Sequence, residues 1–411
     1  MGTLIKFELK KLYMSRVNQI VFLGTCLCVL ISMIVSVAQA RIYDKEGNLV
    51  LGLNAVKTWK TIIKELEEPL TDERVGELLQ EVLTLRENGK NPDNAEQMEN
   101  ILYSYYLPRQ ELFSLIRAVY YDSDMERWGE NHNILNIPLE QREDFYQART
   151  KQILNALETG REDWKYTEAE KMFWQKKNEK IKTPIYYGYA DGWKWSIQSL
   201  GYFIIPIIAL SIMLARIYAG EYECGTEHII LATKYGKTKI IAAKNLAALI
   251  FGGIYLFIMI GIYLGVLFLT LGTDGGGVPI QNYRIDIVYP LTFLQAVLLD
   301  FGLCLAISFG IMAFILFLSA RMKNSLPVLA ISTVVIWGGM FLNRSYTNGV
   351  YNHIIDLLPY QAIDKFPFDM YSYPFGNLVL DYPTMVYVVY LTLGAVLIFF
   401  AGRAFRRCEV E

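Results

Sequence analysis

The chain has 411 residues, of which 53% are hydrophobic, and a formal net charge of −2. A soluble globular chain sits near ~45–50% apolar, so the excess points to long apolar blocks, and the lack of a basic excess argues against nucleic acid as a partner. Five cysteines (Cys26, Cys28, Cys224, Cys304, Cys408) and three histidines (His132, His228, His353) lie scattered. That spacing offers neither a disulfide framework nor a metal-ligand motif.

Residues 1–16 read as an interfacial helix. Ile5, Leu9 and Leu12 share one stripe, and Lys6, Lys10 and Lys11 lie largely off it. Residues 17–40 are the first of six apolar blocks, each near the ~20 residues that a membrane-spanning helix needs. Lys10, Lys11 and Arg16 before this block and Ala38-Gln39-Ala40 after it imitate a cleavable signal. Its apolar stretch exceeds the ~7–15 residues of a signal core, so it is expected to stay as a span.

Residues 41–195 form an ordinary charged segment with 22 Lys/Arg and 28 Asp/Glu, a net of 22 − 28 = −6, which leaves +4 for the rest. Helices are expected throughout it. Thr71 caps one that carries Asp72 and Glu73 in its first turn, with Val75, Leu78, Leu79, Val82 and Leu83 at helical spacing and Gly89 and Pro92 as stops. Pro138 suits the first turn of another, which Gly160 closes. Thr167 and Glu170 have capping-box spacing for a third. Tyr186, Tyr187, Tyr189, Trp193 and Trp195 then precede the second span as an interfacial belt.

The other apolar blocks cover 196–218, 246–271, 291–320, 325–342 and 384–401. An aromatic-rich stretch, 343–383, separates the last two. It is expected to hold short helices or re-entrant structure, since irregular backbone cannot face lipid. Lys and Arg near the span ends place both termini and the 219–245 loop on the cytoplasmic side, and 41–195 outside. The fold class expected is an all-α membrane protein with six transmembrane helices, an N-terminal interfacial helix and a helical extracellular domain. One ionisable residue, Asp300, falls inside a span; an intramembrane carboxylate faces the bundle interior or water, which makes it a candidate for a substrate path.

The loop after the second span carries the most information. Gly225 breaks a helix, Thr226 can cap a short new one with Glu227 in its first turn, and Gly236 ends it. The run Gly220-Glu221-(x)3-Gly225-Thr226, followed by a Lys-led return to the membrane at Lys244, resembles the type-2 permeases of ATP-binding cassette exporters. The interfacial helix, six spans and inward termini fit the same family. A large outside domain between spans one and two is similar only to some branches, such as sodium-efflux-like and peptide-immunity-like permeases. Tyr235-Gly236-Lys237 stands where the family usually has Pro and Arg.

The resemblance implies that residues 226–235 are a coupling helix docking on a separate cytoplasmic ATPase subunit. It implies that Glu221, Gly225 and Thr226 shape the loop, and that His228 and Tyr235 belong to the helix surface. It also implies a second membrane subunit, identical or not, contact with membrane lipid, a bacterial cell membrane, and no cofactor. Gly236-Lys237-Thr238 is not a phosphate-binding loop, because the glycine required five residues earlier is Leu231. With no catalytic set in the chain, ATP hydrolysis falls to the partner. The substrate expected is a peptide, lipid or other amphipath. The competing expectation is a sensor or immunity protein that binds an outside peptide without transport.

Overall fold

A computed structural model describes residues 1–88, 101–120, 144–198 and 200–407. Helix α1 (Gly2–Met14) meets α2 (Arg16–Ala38) at Ser15, whose extended backbone breaks the run and whose Oγ accepts from the Asn18 N–H. A hairpin, β1 (Arg41–Tyr43) and β2 (Leu49–Leu51), leads to α3 (Gly52–Glu65), β3 (Glu68–Leu70) and α4 (Asp72–Asn88). Thr71 accepts from the Arg74 N–H, as its position predicts. Then come α5 (Gln110–Tyr120), α6 (Phe145–Thr159) and α7 (Glu168–Asn178). Gly160 closes α6 at φ +68, and Thr167 and Glu170 form the expected capping box on α7. Gly89, Pro92, Pro138, His132 and Cys408 lie outside the described residues.

Strand β4 (Ile185–Tyr187) returns to pair with β3, and α8 (Asp191–Gln198) follows. The second span, Gly201–Glu223, is α9 (Ile204–Leu214) running into α10 (Arg216–Glu223). It begins later and ends later than the apolar block implied, because α8 is a separate short helix and nothing stops the chain before Gly225. A short helix, α11 (Glu227–Ala232), precedes α12 (Ile241–Leu271), α13 (Phe293–Arg321) and α14 (Ser325–Trp337). Small helices α15 (Gly349–Ile355) and α16 (Pro359–Asp364) and the hairpin β5 (Ser372–Phe375)/β6 (Leu378–Asp381) precede α17 (Tyr382–Arg406).

Among the described residues, five helical segments are long and apolar enough to cross a membrane: Arg16–Ala38, Gly201–Glu223, Gly236–Leu271, Phe293–Arg321 and Tyr382–Arg406. The fifth apolar block forms a shorter apolar helix, Ser325–Phe341, whose last turn is 3-10. The 31 residues of α12 extend ~46 Å, more than the ~30 Å hydrocarbon core of a bilayer.

One apolar core runs through the bundle, where α13 packs along α17. A second core gathers Ile63, Val75, Leu78, Leu112, Phe113, Ile116 and Phe145 from the 41–195 segment, and with them Ile285 from the connection between α12 and α13. The core of the charged segment therefore also incorporates a bundle loop. Tyr187 and Tyr189 are fully buried in this core rather than forming an open belt, and Tyr189 donates to the Leu271 carbonyl at 2.7 Å. Among the described residues, three two-stranded ribbons depart from an all-α reading; strands of three or four residues leave too short an alternation to see in sequence. The face with this domain is called the domain face; the face with α1 and the end of α17 is the terminal face.

Candidate functional site

The site lies at the terminal end of span two. Helix α10 ends at Gly225, whose φ of +65 no side-chain-bearing residue adopts without strain. The Thr226 N–H bonds the Glu221 carbonyl at 3.0 Å, and the Gly225 N–H bonds Tyr222 at 3.1 Å. This is a Schellman cap, and it turns the chain sharply out of the span. Glu221 is thereby held in the last turn of the helix, buried at 5% exposure, and not in the loop.

Four charges meet around it. Lys244 of α12, 1% exposed, reaches the Glu221 carboxylate at 2.7 Å and Glu8 of α1 at 3.0 Å. Its third donor points to the Ile217 carbonyl at 3.4 Å, so the ammonium is fully occupied. Lys11 of α1 reaches the same Glu221 oxygen at 2.5 Å. The other Glu221 oxygen accepts from the Thr226 hydroxyl. Two carboxylates and two ammoniums thus link α1, α10, the loop and α12. Nearby, the Ser319 hydroxyl of α13 accepts from the Tyr218 and Ala219 N–H groups at 3.0 Å and donates to Ala215 at 2.7 Å. Removing one partner of so buried a pair leaves an uncompensated charge, which costs about 3–5 kcal/mol.

The structure brings Glu221, Gly225 and Thr226 together and gives two residues of this loop other roles than their sequence positions suggest. Thr226 does not cap α11 with its side chain, because the hydroxyl is committed to Glu221. Gly236 does not end the short helix. That helix stops at Ala232, and Gly236 opens the turn into α12, packed so closely that a Cβ there would collide with the Ile230 carbonyl. On α11 and beyond, His228, Ile229 and Tyr235 face outward, Ile229 at 69% exposure. His228 sits 2.9 Å from Glu227, and the Lys239 ammonium lies 4.2 Å from the Tyr235 ring centre.

Sequence reasoning missed Glu8, Lys11 and the partnership of Lys244. A lone lysine leading 27 mostly apolar residues into a span was the available signal for Lys244. Glu8 and Lys11, opposite charges three apart on one helix, were the signal for α1.

Asp300 stands apart from this cluster. It lies in α13 toward the domain face, 5% exposed, with no hydrogen bond or ion pair among the described residues. Tyr387 of α17 crosses beside it, donating to the Leu299 carbonyl at 3.1 Å. The glycine run 275–277 follows an anchored carboxylate, Asp274. Lys60 and Lys64 hold Asp274 at 2.5 and 2.9 Å, and these hydrogen bonds pull its carboxyl down to about 2. Among the described residues, no group of three or more His, Cys, Asp or Glu converges as a metal site.

A sequence profile of the ABC-2 family transporter proteins matches residues 134–401. The chain belongs to the ABC-2 family of transporter proteins. It is therefore a membrane component of an ABC transporter, of a family that normally works with an ATPase subunit and is not usually catalytic itself. No curated protein and no solved structure matches the chain. The ABC-2 match contains Glu221, Gly225, Thr226, Lys244 and Asp300 and stops short of α1, so the Glu8 and Lys11 half of the cluster lies outside it.

Proposed function

We propose that this ABC-2 protein is the permease subunit of an ATP-driven exporter, with its terminal face in the cytoplasm and its domain outside a bacterial cell membrane. The segment Ser325–Phe341 serves as a short fifth span with local thinning of the membrane, so that α17, the sixth, returns to the side of α1. The 226–235 loop is the coupling element, and Ile229 and Tyr235, flanked by Lys234, Lys237 and Lys239, meet the ATPase. Two such membrane subunits and two ATPase subunits alternate as ATP binds and is hydrolysed. The cargo is a peptide, lipid or other amphipath gathered by the domain, and Asp300 lies on its path.

The observation that carries this reading is the cluster of Glu8, Lys11, Glu221 and Lys244. It ties the loop to two neighbouring helices, so a push on the loop moves them together. The test is co-purification with the ATPase subunit. Ile229→Asp should abolish association, and Glu221→Gln should keep association but lose ATP-driven transport. Association that survives Ile229→Asp with Tyr235→Ala would sink the coupling assignment. A chain that binds an outside peptide and associates with no ATPase would instead be the sensor or immunity protein.

A further inference from the structure

The elbow between α1 and α2 encloses a cavity of about 360 Å³, closed on its far side by α12. Tyr13, Phe22, Leu23, Phe251, Ile254 and Ile258 form its apolar walls, with Tyr13 edge-on to Phe251 at 5.0 Å and Phe22 edge-on to Tyr255 at 6.0 Å. Two amides also line it, but both are already engaged. Asn18 donates to the Leu12 carbonyl at 3.0 Å, and Gln19 donates to the Tyr13 carbonyl at 2.9 Å. They satisfy the last carbonyls of α1 and leave little for water to bond, so the space favours hydrocarbon. Leu23 and Ile254, both exposed, open it sideways between helices, toward the acyl chains of the leaflet.

The rim is basic. Arg16 lies on the same α2 face as Gln19 and Leu23, one turn toward the terminal face, and Lys10 precedes Tyr13 by one turn of α1. Both are exposed, and among the described residues neither pairs with a carboxylate. Lys11, one residue away, is spent on Glu221. The positive end of the α2 dipole adds to the same field.

We propose that this elbow binds one acyl chain of an anionic phospholipid, whose phosphate is held by Lys10 and Arg16. The occupant is a lipid because an apolar slot that opens into the leaflet and unpaired cations at its rim match the two halves of that molecule. A bound chain sets the angle of α1, and α1 carries Glu8 and Lys11 to the ionic cluster. The site holds whether or not the chain is an exporter.

The test is native mass spectrometry of the purified full chain, titrated with phosphatidylglycerol and with phosphatidylcholine of identical chains. Wild type should retain one phosphatidylglycerol in preference, by roughly thirty-fold for two basic residues. Lys10→Gln with Arg16→Gln, both surface changes, should erase the preference and leave weak retention of either lipid. Ile254→Trp, which fills the slot, should reduce retention of both. Equal retention by wild type, or a preference unchanged in the double variant, would overturn the proposal. So would glycerol phosphate competing as well as the lipid, or the slot being occupied by a helix of a second copy.

Discussion

At the domain face, the ties between remote segments are many and spread out. Arg149 reaches the Ile285 and Ile287 carbonyls and Asn178, Lys177 meets Asp381 at 2.5 Å, and Arg284 meets Asp369 at 2.9 Å. Asp356 is held by Arg344 and Lys365, while Trp174, Ser372 and Glu170 form a buried chain. At the terminal face, one cluster joins α1, α10 and α12. The difference is mechanical. Distributed ties fix the domain and the bundle loops as one body that survives the loss of any single tie. In a concentrated tie one substitution disturbs several contacts at once.

The sharpest way to break this comparison is Lys244→Met, which strips Glu221 and Glu8 of their shared partner. It should cost about 3–5 kcal/mol and end communication with an ATPase partner. Denaturant unfolding of the purified chain measures the first, and nucleotide-dependent activity of the complex the second. A loss below ~1 kcal/mol would mean that the cluster is no more concentrated than the ties opposite. On the domain face, Arg149→Met removes three charged hydrogen bonds, and about 2–3 kcal/mol is expected. Its effect should appear as faster amide exchange over 280–290, with the helices of the bundle unchanged.

Asp191 sharpens the comparison by pH. Burial, reinforced by the Glu111 carboxylate and opposed by Lys194 and a Trp59 hydrogen bond, raises its carboxyl to about 7. A carboxyl raised on folding binds its proton more tightly in the folded chain. The packing around α8 is therefore firmest in acid and loosens as pH climbs from ~4 through 7. Amide exchange of α8 should speed up several-fold across that range in the wild type, and the pH dependence should vanish in Asp191→Asn. Lys60→Gln should do least. Its pairing with Asp274 is partly exposed, and less than about 1 kcal/mol is expected from the same denaturation measurement.

Much of this was legible because it is local. Apolar blocks announce spans, the Thr167–Glu170 spacing gives a capping box, and Gly225 marks the turn out of α10. The site was legible to the same depth. Glu221 and Thr226 are five residues apart, whereas Glu8 and Lys244 are separated by 236 positions and meet only through the packing of α1 on α12. Tyr187 and Tyr189 misled for the same reason. Their composition matches an interfacial belt, and only the β3–β4 pairing and the long-range core show them buried. Hydropathy marks the 325–342 block as apolar, but the 3-10 turn that opens at Gly338 and shortens its α-helix has no signal in composition.

The arithmetic of the inner cluster carries an electrical consequence. Two carboxylates and two ammoniums sum to zero, so these four groups can shift together without a net charge of their own moving. A lone ion making the same journey would work against ~2.3 kcal/mol per 100 mV. Joint displacement of the four groups is therefore silent to an electrical potential, and any voltage sensitivity of the same helices would come from charges outside the cluster, such as Lys6 and Lys10 of α1.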